Sequence, residues 1–415
     1  MAERGTRNIE RITEKVKDSN YEALQHTISQ SAWDTAGLMH QTASSASQLL
    51  QRIGLVCLTI DEKAHLKKGV KSAGVSRQYA GTSGKVDNCQ VGVYASLCAD
   101  KYSTIVNHRL YLPEEWIKDE KRCDEAGIPE SARVFKTKPQ LALDMIKEMV
   151  SEGVSFDFIN GDGLYGHGFE LMKGIAALSK HYVLDIHSNT TIYLEEPRIR
   201  VPENEPGLRG RKHTKLKPDI KGINVGKYRE SLMDNEFKKA RIRKTTKGWL
   251  EAYIHIREVW VWDEANQAEM PMKQTLIIRK PIHKKDKLKH SLSNIPIGDQ
   301  SIEQFAFMQA QRFWIERSFR DNSHDLGMSD YQVRTYRGWN NHMALTSLAM
   351  LFVMEQRIKN KEYAPLLSYN DIRQMLVDKL ANDGRNMDLI VEQTLKRQHQ
   401  REKDIARYYR HEVNF

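Results

Sequence analysis

A chain of 415 residues, 40% hydrophobic and 28% charged, is long enough to bury one large core with an insert, or two to three domains, so disorder is not its default state. No charged-then-apolar leader opens it, and the longest greasy stretch, 344–354, is too short and interrupted to span a bilayer, so it reads as a buried core helix. The net charge is +10, and residues 198–247 alone carry sixteen Lys/Arg against six Asp/Glu, so the remainder sums to about zero.

In chain order, residues 7–53 have apolar residues every three or four positions and predict a small helical front piece. The period then changes. The runs at 54–60, 89–98 and 103–112 are rich in Val, Ile, Leu and Tyr and predict three consecutive strands. Residues 139–153 open with Pro and close with Gly at helical spacing. The strand "SFDFIN" comes next and delivers the chain to Asp162 in "INGDGLYG", and then come a helix, "FELMKGIAALSK", and a strand, "HYVLDIH". Three strands, helix, strand, helix, strand predict an α/β fold, a mixed sheet flanked by helices.

From 188 to 300 the pattern breaks into the basic stretch and two β-type runs, 250–264 and 273–283, before a long helix resumes near Ser301. The expected division is a helical region at 1–53, a candidate for DNA binding, a catalytic core at 54–187 and 301–358, a basic β-rich insert at 188–300, and a helical region at 359–415. Cys57, Cys89, Cys98 and Cys123 form no C-x-x-C and mostly sit in apolar strand-like runs, the usual setting of small buried thiols in a reducing cytoplasm. The basic stretch and a second cluster at 279–290 are the electrostatic footprint of a polyanion and make nucleic acid the leading partner, against a merely solvated face. Trp249, Trp260 and Trp262 are equally candidates for a DNA surface and for the core of the insert.

Three carboxylates stand out. Asp61 ends the first β-run, Asp162 ends the fourth, and Glu316 lies on a helix where Phe305, Met308, Ile315 and Phe319 mark an apolar stripe, with Arg312 one turn before it. Alone, each has a plain structural reading: turn residues for the two aspartates and an i,i+4 ion pair for Glu316. Together, on strand, strand and helix of one basic α/β core, they suit two Mg²⁺ (or Mn²⁺) ions about 3.5–4 Å apart acting on a phosphodiester. The glycines around Asp162 are expected to make room for metal and phosphate.

Residues 60–94, "INGDGLYG" and residues 312–345 resemble the DDE transposases of bacterial insertion sequences, most of all the branch whose ribonuclease H-like core is split by a β-rich insert. The resemblance implies that Asp61, Asp162 and Glu316 are the catalytic triad and its metal ligands. It also implies that Arg312 touches DNA and that Lys68, Arg77 and Tyr79 face phosphate. The expected function is metal-dependent cleavage of transposon ends and strand transfer into target DNA, by at least a dimer on double-stranded DNA, in the bacterial nucleoid.

Departures from the pattern are Gln309 and Ser323, where relatives often carry tyrosine and lysine, and Glu62, where many carry a second aspartate. On a continuous helix Arg320, four residues past Glu316, is placed to replace the missing lysine. Lys238, Lys239, Arg241, Arg243 and Lys244 are the insert's expected DNA contacts. The rival readings are a nuclease of this fold that cuts without joining and a transposase-derived DNA-binding protein without catalysis.

Overall fold

The computed structural model describes residues 19–203, 213–245, 248–282 and 288–380, with Ile9 and scattered positions from 391 to 407. Most of the expected first helical turns before residue 19, most of the helical region expected after 380, and parts of both basic clusters (204–212, 246–247 and 283–287) lie outside the described residues. Two compact units emerge, one of residues 1–156 and 313–415, the other of residues 157–312.

In the first unit, helix α1 (Tyr21–Ser29) is capped by Asn20 and α2 (Thr35–Gln51) by Asp34, each accepting a backbone N–H three residues on. Strand β1 (Cys57–Leu66) pairs antiparallel with β3 (Lys85–Ala99), and β3 pairs antiparallel with β4 (Tyr102–Leu110). A short strand, β2 (Ser76–Ala80), also pairs with β3. The three expected strands are present, but β1 runs on to Leu66, so Asp61 sits inside the strand rather than at its end. Helices α3 (Glu114–Ile117), α4 (Glu120–Glu125) and α5 (Lys138–Ser151) come after them. Thr137 and Gln140 close a reciprocal capping box at the start of α5, which fixes where the amphipathic run begins.

The second unit starts with β5 (Phe158–Gly161), all four residues buried, and a crossover through α6 (Phe169–Ala177) to β6 (His181–Asp185), which pairs parallel to β5 as a helical crossover requires. Two small two-stranded sheets come next, from β7 (Thr191–Ile192), β8 (Ile199–Arg200), β9 (Lys217–Pro218) and β10 (Ile223–Asn224), and then helix α7 (Val225–Ser231). Strands β11 (Lys238–Thr245), β12 (Gly248–Val261), β13 (Met272–Pro281) and β14 (Lys289–Ser293) form an antiparallel run that joins the β6 edge through β14. Helix α8 (Ile302–Ala310) opens on a second capping box, Ser301 with Gln304.

The helix expected to run unbroken past Ser301 is interrupted. Gln311 and Arg312 form a turn, α9 (Phe313–Asp321) begins in the first unit, and residues Asn322–Leu326 wind as a π-helix. Phe305 and Met308 are buried on α8, Ile315 and Phe319 on α9, so the helical spacing in the sequence runs through a break that it did not reveal. The greasy stretch at 344–354 falls inside α10 (Tyr336–Lys359), with Met343, Ala344, Met350 and Met354 buried, and α11 (Tyr369–Leu380) packs beside it. Among the described residues no helix is long and apolar enough to cross a membrane. All four cysteines are buried and none forms a disulfide. The observed architecture is the expected mixed α/β class: helices flank an antiparallel run in one unit and a mixed sheet in the other.

Candidate active site

Side chains alternate faces along a strand, so Asp61 and Lys63 share one face of β1 and Glu62 takes the other. The Asp61 face is the one covered by α9. Tyr94, directly opposite Asp61 on β3, meets Phe319 edge-on with ring centroids 5.3 Å apart. Lys63 Nζ stands 5.6 Å from the centroid of the same Phe319 ring. One residue earlier on α9, Ser318 donates to Ser103 Oγ at 2.8 Å and lies 3.4 Å from Ser96 Oγ. The face carrying Asp61 is therefore packed against the helix carrying Glu316, and Glu316 is exposed. Glu62, on the opposite face, is held by Lys138 of α5 at 3.0 Å. Asp61 Oδ1 accepts the backbone N–H of Glu62 at 2.8 Å.

The buried residues beneath this face, Tyr94, His65 and Phe319, are aromatic rings. Tyr94 OH lies 2.9 Å from His65 Nε2, and His65 is held well below its ordinary pKa by burial first and by Lys63 and Lys67 next. Burial also lowers Lys63 and brings Lys67 down to about 8. Desolvation thus disfavours every added positive charge beneath the strand.

Asp162 comes directly after β5 in the second unit. Its Oδ1 accepts the N–H of Leu164 at 2.9 Å and its carbonyl accepts those of Tyr165 and Gly166, a tight turn that fixes the side chain at the strand end. The surrounding glycines have a different reason from the one expected. A Cβ on Gly166 would lie 1.9 Å from the carbonyl oxygen of Asp185, and one on Gly163 would meet the His187 ring at 2.8 Å. These positions are small because the turn packs onto its own unit, against the end of β6 and the His187 ring just beyond it, rather than to leave an approach open.

The remaining candidates are dispersed. Arg77 and Tyr79 project from the same exposed side of β2, and Lys68 is exposed in the loop after β1. Arg312 is mostly buried, with its Nε 3.4 Å from Asp185, a carboxylate that also takes Lys289 at 3.2 Å and the Ser291 hydroxyl at 2.6 Å. Sequence reasoning passed over Asp185, whose only signal was an acid ending a strand. Gln309 is buried and donates to Ser291 Oγ at 2.8 Å, so it ties α8 to the sheet. Arg320 is exposed on α9. Ser323 lies in the π-helix and accepts from Ser329 Oγ at 3.1 Å, so the α-helical seven-residue spacing from Glu316 does not apply to it.

On β11, Lys238, Lys239, Arg241 and Lys244 are exposed and Arg243 is half-buried. Lys239 and Arg241 share Glu251 of β12, at 2.7 Å and 3.4 Å. Trp249 is 46% exposed, with Arg241 and Lys244 each 5.6 Å from its ring, whereas Trp262 is 8% exposed and belongs to the packed interior.

Carboxylate oxygens are the donor chemistry that hard divalent cations take, and Asp61, Asp162 and Glu316 fit it. Among the described residues no three His, Cys, Asp or Glu side chains are gathered to hold a metal ion.

The family model for the DDE superfamily endonucleases matches residues 1–249, and the chain belongs to that family. Asp61 and Asp162 fall inside the matched residues and Glu316 beyond them. Among curated proteins, the chain is similar to the probable transposase for insertion sequence element IS701 of Microchaete diplosiphon, 31% identical over 173 residues, which are 41% of this chain and 42% of that protein. The chain thus spans less than half the length of the curated relative it matches. Among solved structures it is similar to a cryo-EM structure of the piggyBac transposase synaptic complex with hairpin DNA, at 13% identity and a TM-score of 0.37, over 87% of this chain and 59% of that one.

Proposed function

We propose that this chain is a DNA transposase that cuts at the ends of its element and joins the freed 3′-OH to target DNA, with Asp61, Asp162 and Glu316 as its catalytic carboxylates. The observation that carries this reading is the placement of Asp61 on the β1 face packed against the Glu316 helix, while its acidic neighbour Glu62 turns away to Lys138. Asp61, Asp162 and Glu316 would hold Mg²⁺ or Mn²⁺, which when bound supplies Lewis-acid polarisation of the phosphate and a more acidic attacking water.

The protein's own work is positional. The edge-on contact of Tyr94 with Phe319 fixes the helix over the strand, and the Asp162 turn holds its carboxylate at a strand end. Cutting adds a water oxygen to phosphorus and expels the 3′ oxygen, which leaves with a proton. Joining repeats the displacement with the 3′-OH as nucleophile, so no covalent enzyme intermediate is required. Synapsis of two ends calls for at least a dimer on duplex DNA, and the proposed reaction would take place at the bacterial nucleoid.

The test is a cleavage and joining assay on duplexes carrying the element's ends. Mg²⁺-dependent 3′-OH ends and joined products, both lost in chelator, are expected. Cutting without joining of pre-cut ends would make the chain a nuclease, and full activity in chelator would overturn the metal reading.

A further inference from the structure

The turn that holds Asp162 lies against an imidazole whose place packing does not explain. Gly163, the residue directly after Asp162, sits under the His187 ring: a Cβ there would meet Cε1 at 2.8 Å, Nε2 at 3.1 Å and Nδ1 at 3.2 Å. The chain therefore gives up a side chain at 163 to admit this ring. Burial is not the reason, because His187 is exposed and an exposed ring gains little from contact. His167, also exposed, has its ring centroid 6.3 Å from that of His187, and among the described residues neither ring has a hydrogen-bond or ion-pair partner.

The backbone around His187 is fixed. The Ile186 N–H donates to the His290 carbonyl at 2.8 Å, the Thr190 N–H to the His187 carbonyl at 3.1 Å, and the Gly226 N–H to the Ser188 carbonyl at 2.7 Å. Strands β5 and β6 run parallel with Gly161 opposite Leu184, so Asp162 and His187, which come after them, leave from the same edge of the sheet. The Gly163 contact singles out His187 over His167 as the ring held in place beside Asp162. Imidazole is the side chain best suited to carry and release a proton near neutrality. The cutting step expels an oxygen that leaves with a proton, and ionised carboxylates acting as metal ligands have none to give.

We propose that His187 is a further catalytic residue, the proton donor to the departing 3′ oxygen. As water adds to phosphorus, the P–O3′ bond breaks and its electron pair stays on O3′, which takes the proton from a ring nitrogen of His187. The attacking water gives up one proton to solvent and the ring regains one from solvent, so the sum is one water added across one phosphodiester. The proposal rests on the transposase reading and names the proton source that this reading leaves open.

The experiment compares cleavage by the full chain, in Mn²⁺, of two duplexes carrying the element's ends, one normal and one with sulfur in place of the bridging 3′ oxygen at the cut. A thiolate, whose conjugate acid has a pKa of about 8.5, leaves without needing a proton. His187→Gln is expected to lower kcat on the oxygen duplex by about a hundredfold at unchanged duplex affinity, and to match the parent within about threefold on the sulfur duplex. His167→Gln is expected to match the parent on both, and thermal unfolding checks that each variant folds. As an independent measure, His187→Ala should regain about tenfold in rate on the oxygen duplex when free imidazole is added. Equal losses on the two duplexes, full activity of His187→Gln on the oxygen duplex, or no gain with imidazole overturns the proposal. A parent that cuts neither duplex overturns the transposase reading instead, so the two failures are distinguishable.

Discussion

Strand β11 and an open cleft of the first unit, bounded by α1 and lined by Lys67, Lys68, Lys71 and Arg334, are both rich in lysine and arginine, and they differ in what opposes the charge. On β11, Lys239 and Arg241 share Glu251 across the strand pair, and on β13 Lys280 meets Asp234 of the turn before β11 and Lys273 meets Glu258 of β12. In the cleft no acid lines the wall among the described residues. Charge density along a sequence measures how many cations are present, while the availability of each for a phosphate depends on what the fold sets next to it. A short run with unopposed heads can outweigh a longer one that its own sheet has partly neutralised.

The sharpest separation is between grip and chemistry. If the proposed site is right, Glu316→Gln and Asp162→Asn should each lower end cleavage by about a thousandfold or more while duplex affinity stays near the parent, since each would remove a metal-ligand charge at almost constant volume. Steady-state cleavage with binding measured alongside checks this, and a parallel loss of binding would erase the distinction drawn between the two kinds of region.

Acid should act unevenly on the regions. Burial holds His108 at about 3, His342 at about 4 and His65 well below its ordinary value in the first unit, against His290 at about 4 in the second. Folded pKa values below the unfolded one mean that the unfolded chain takes up protons first. Stability is therefore retained above about pH 6.5 and falls as pH drops toward 4, by about 1.4 kcal/mol per pH unit for each proton involved. Hydrogen exchange from pH 7 to 4.5 should show the first unit, and with it the cleft, losing protection ahead of the β11–β13 sheet. Uniform loss would remove the contrast.

Gly166→Ala should destabilise the Asp162 turn by about 1–3 kcal/mol, because its new methyl group meets the Asp185 carbonyl and must displace it. Chemical denaturation measures the cost, and a silent substitution would restore the idea that the glycine leaves open space. The smallest effect is also the most specific to the comparison. Glu251→Gln should release Lys239 and Arg241 and strengthen duplex binding a few-fold with a steeper salt slope, by up to about 0.9 for each cation that gains a phosphate. An unchanged slope would mean that β11 is a solvated face.

Much of this fold could be read from apolar patterning. The runs that form β1, β3 and β4 are rich in Val, Ile, Leu and Tyr, and α5 has its Pro and its terminal Gly. The missed strands lack that signal. Strand β2 is a five-residue polar edge paired to one end of β3, and β11 hides a period-two burial of Ala240 and Ile242 inside a run of cations. The break at Gln311–Arg312 was invisible because apolar residues of correct helical spacing stand on both sides of it. At the candidate site the acids themselves could be picked out as types in context. Which face Asp61 takes is plain only once Tyr94 is known to sit across from it and beneath Phe319, and the Glu251 pairing depends on a cross-strand register that no linear pattern encodes.

The claim on which the account turns is that Asp61, and not Glu62, is the first-strand carboxylate. End cleavage by Asp61→Asn and Glu62→Gln, compared in the same Mg²⁺ assay, tests it directly. The account predicts no detectable cleavage from Asp61→Asn and activity within about tenfold of the parent from Glu62→Gln, whose cost is the Lys138 pair on the far face of β1. Loss of cleavage in Glu62→Gln with Asp61→Asn still active would contradict it.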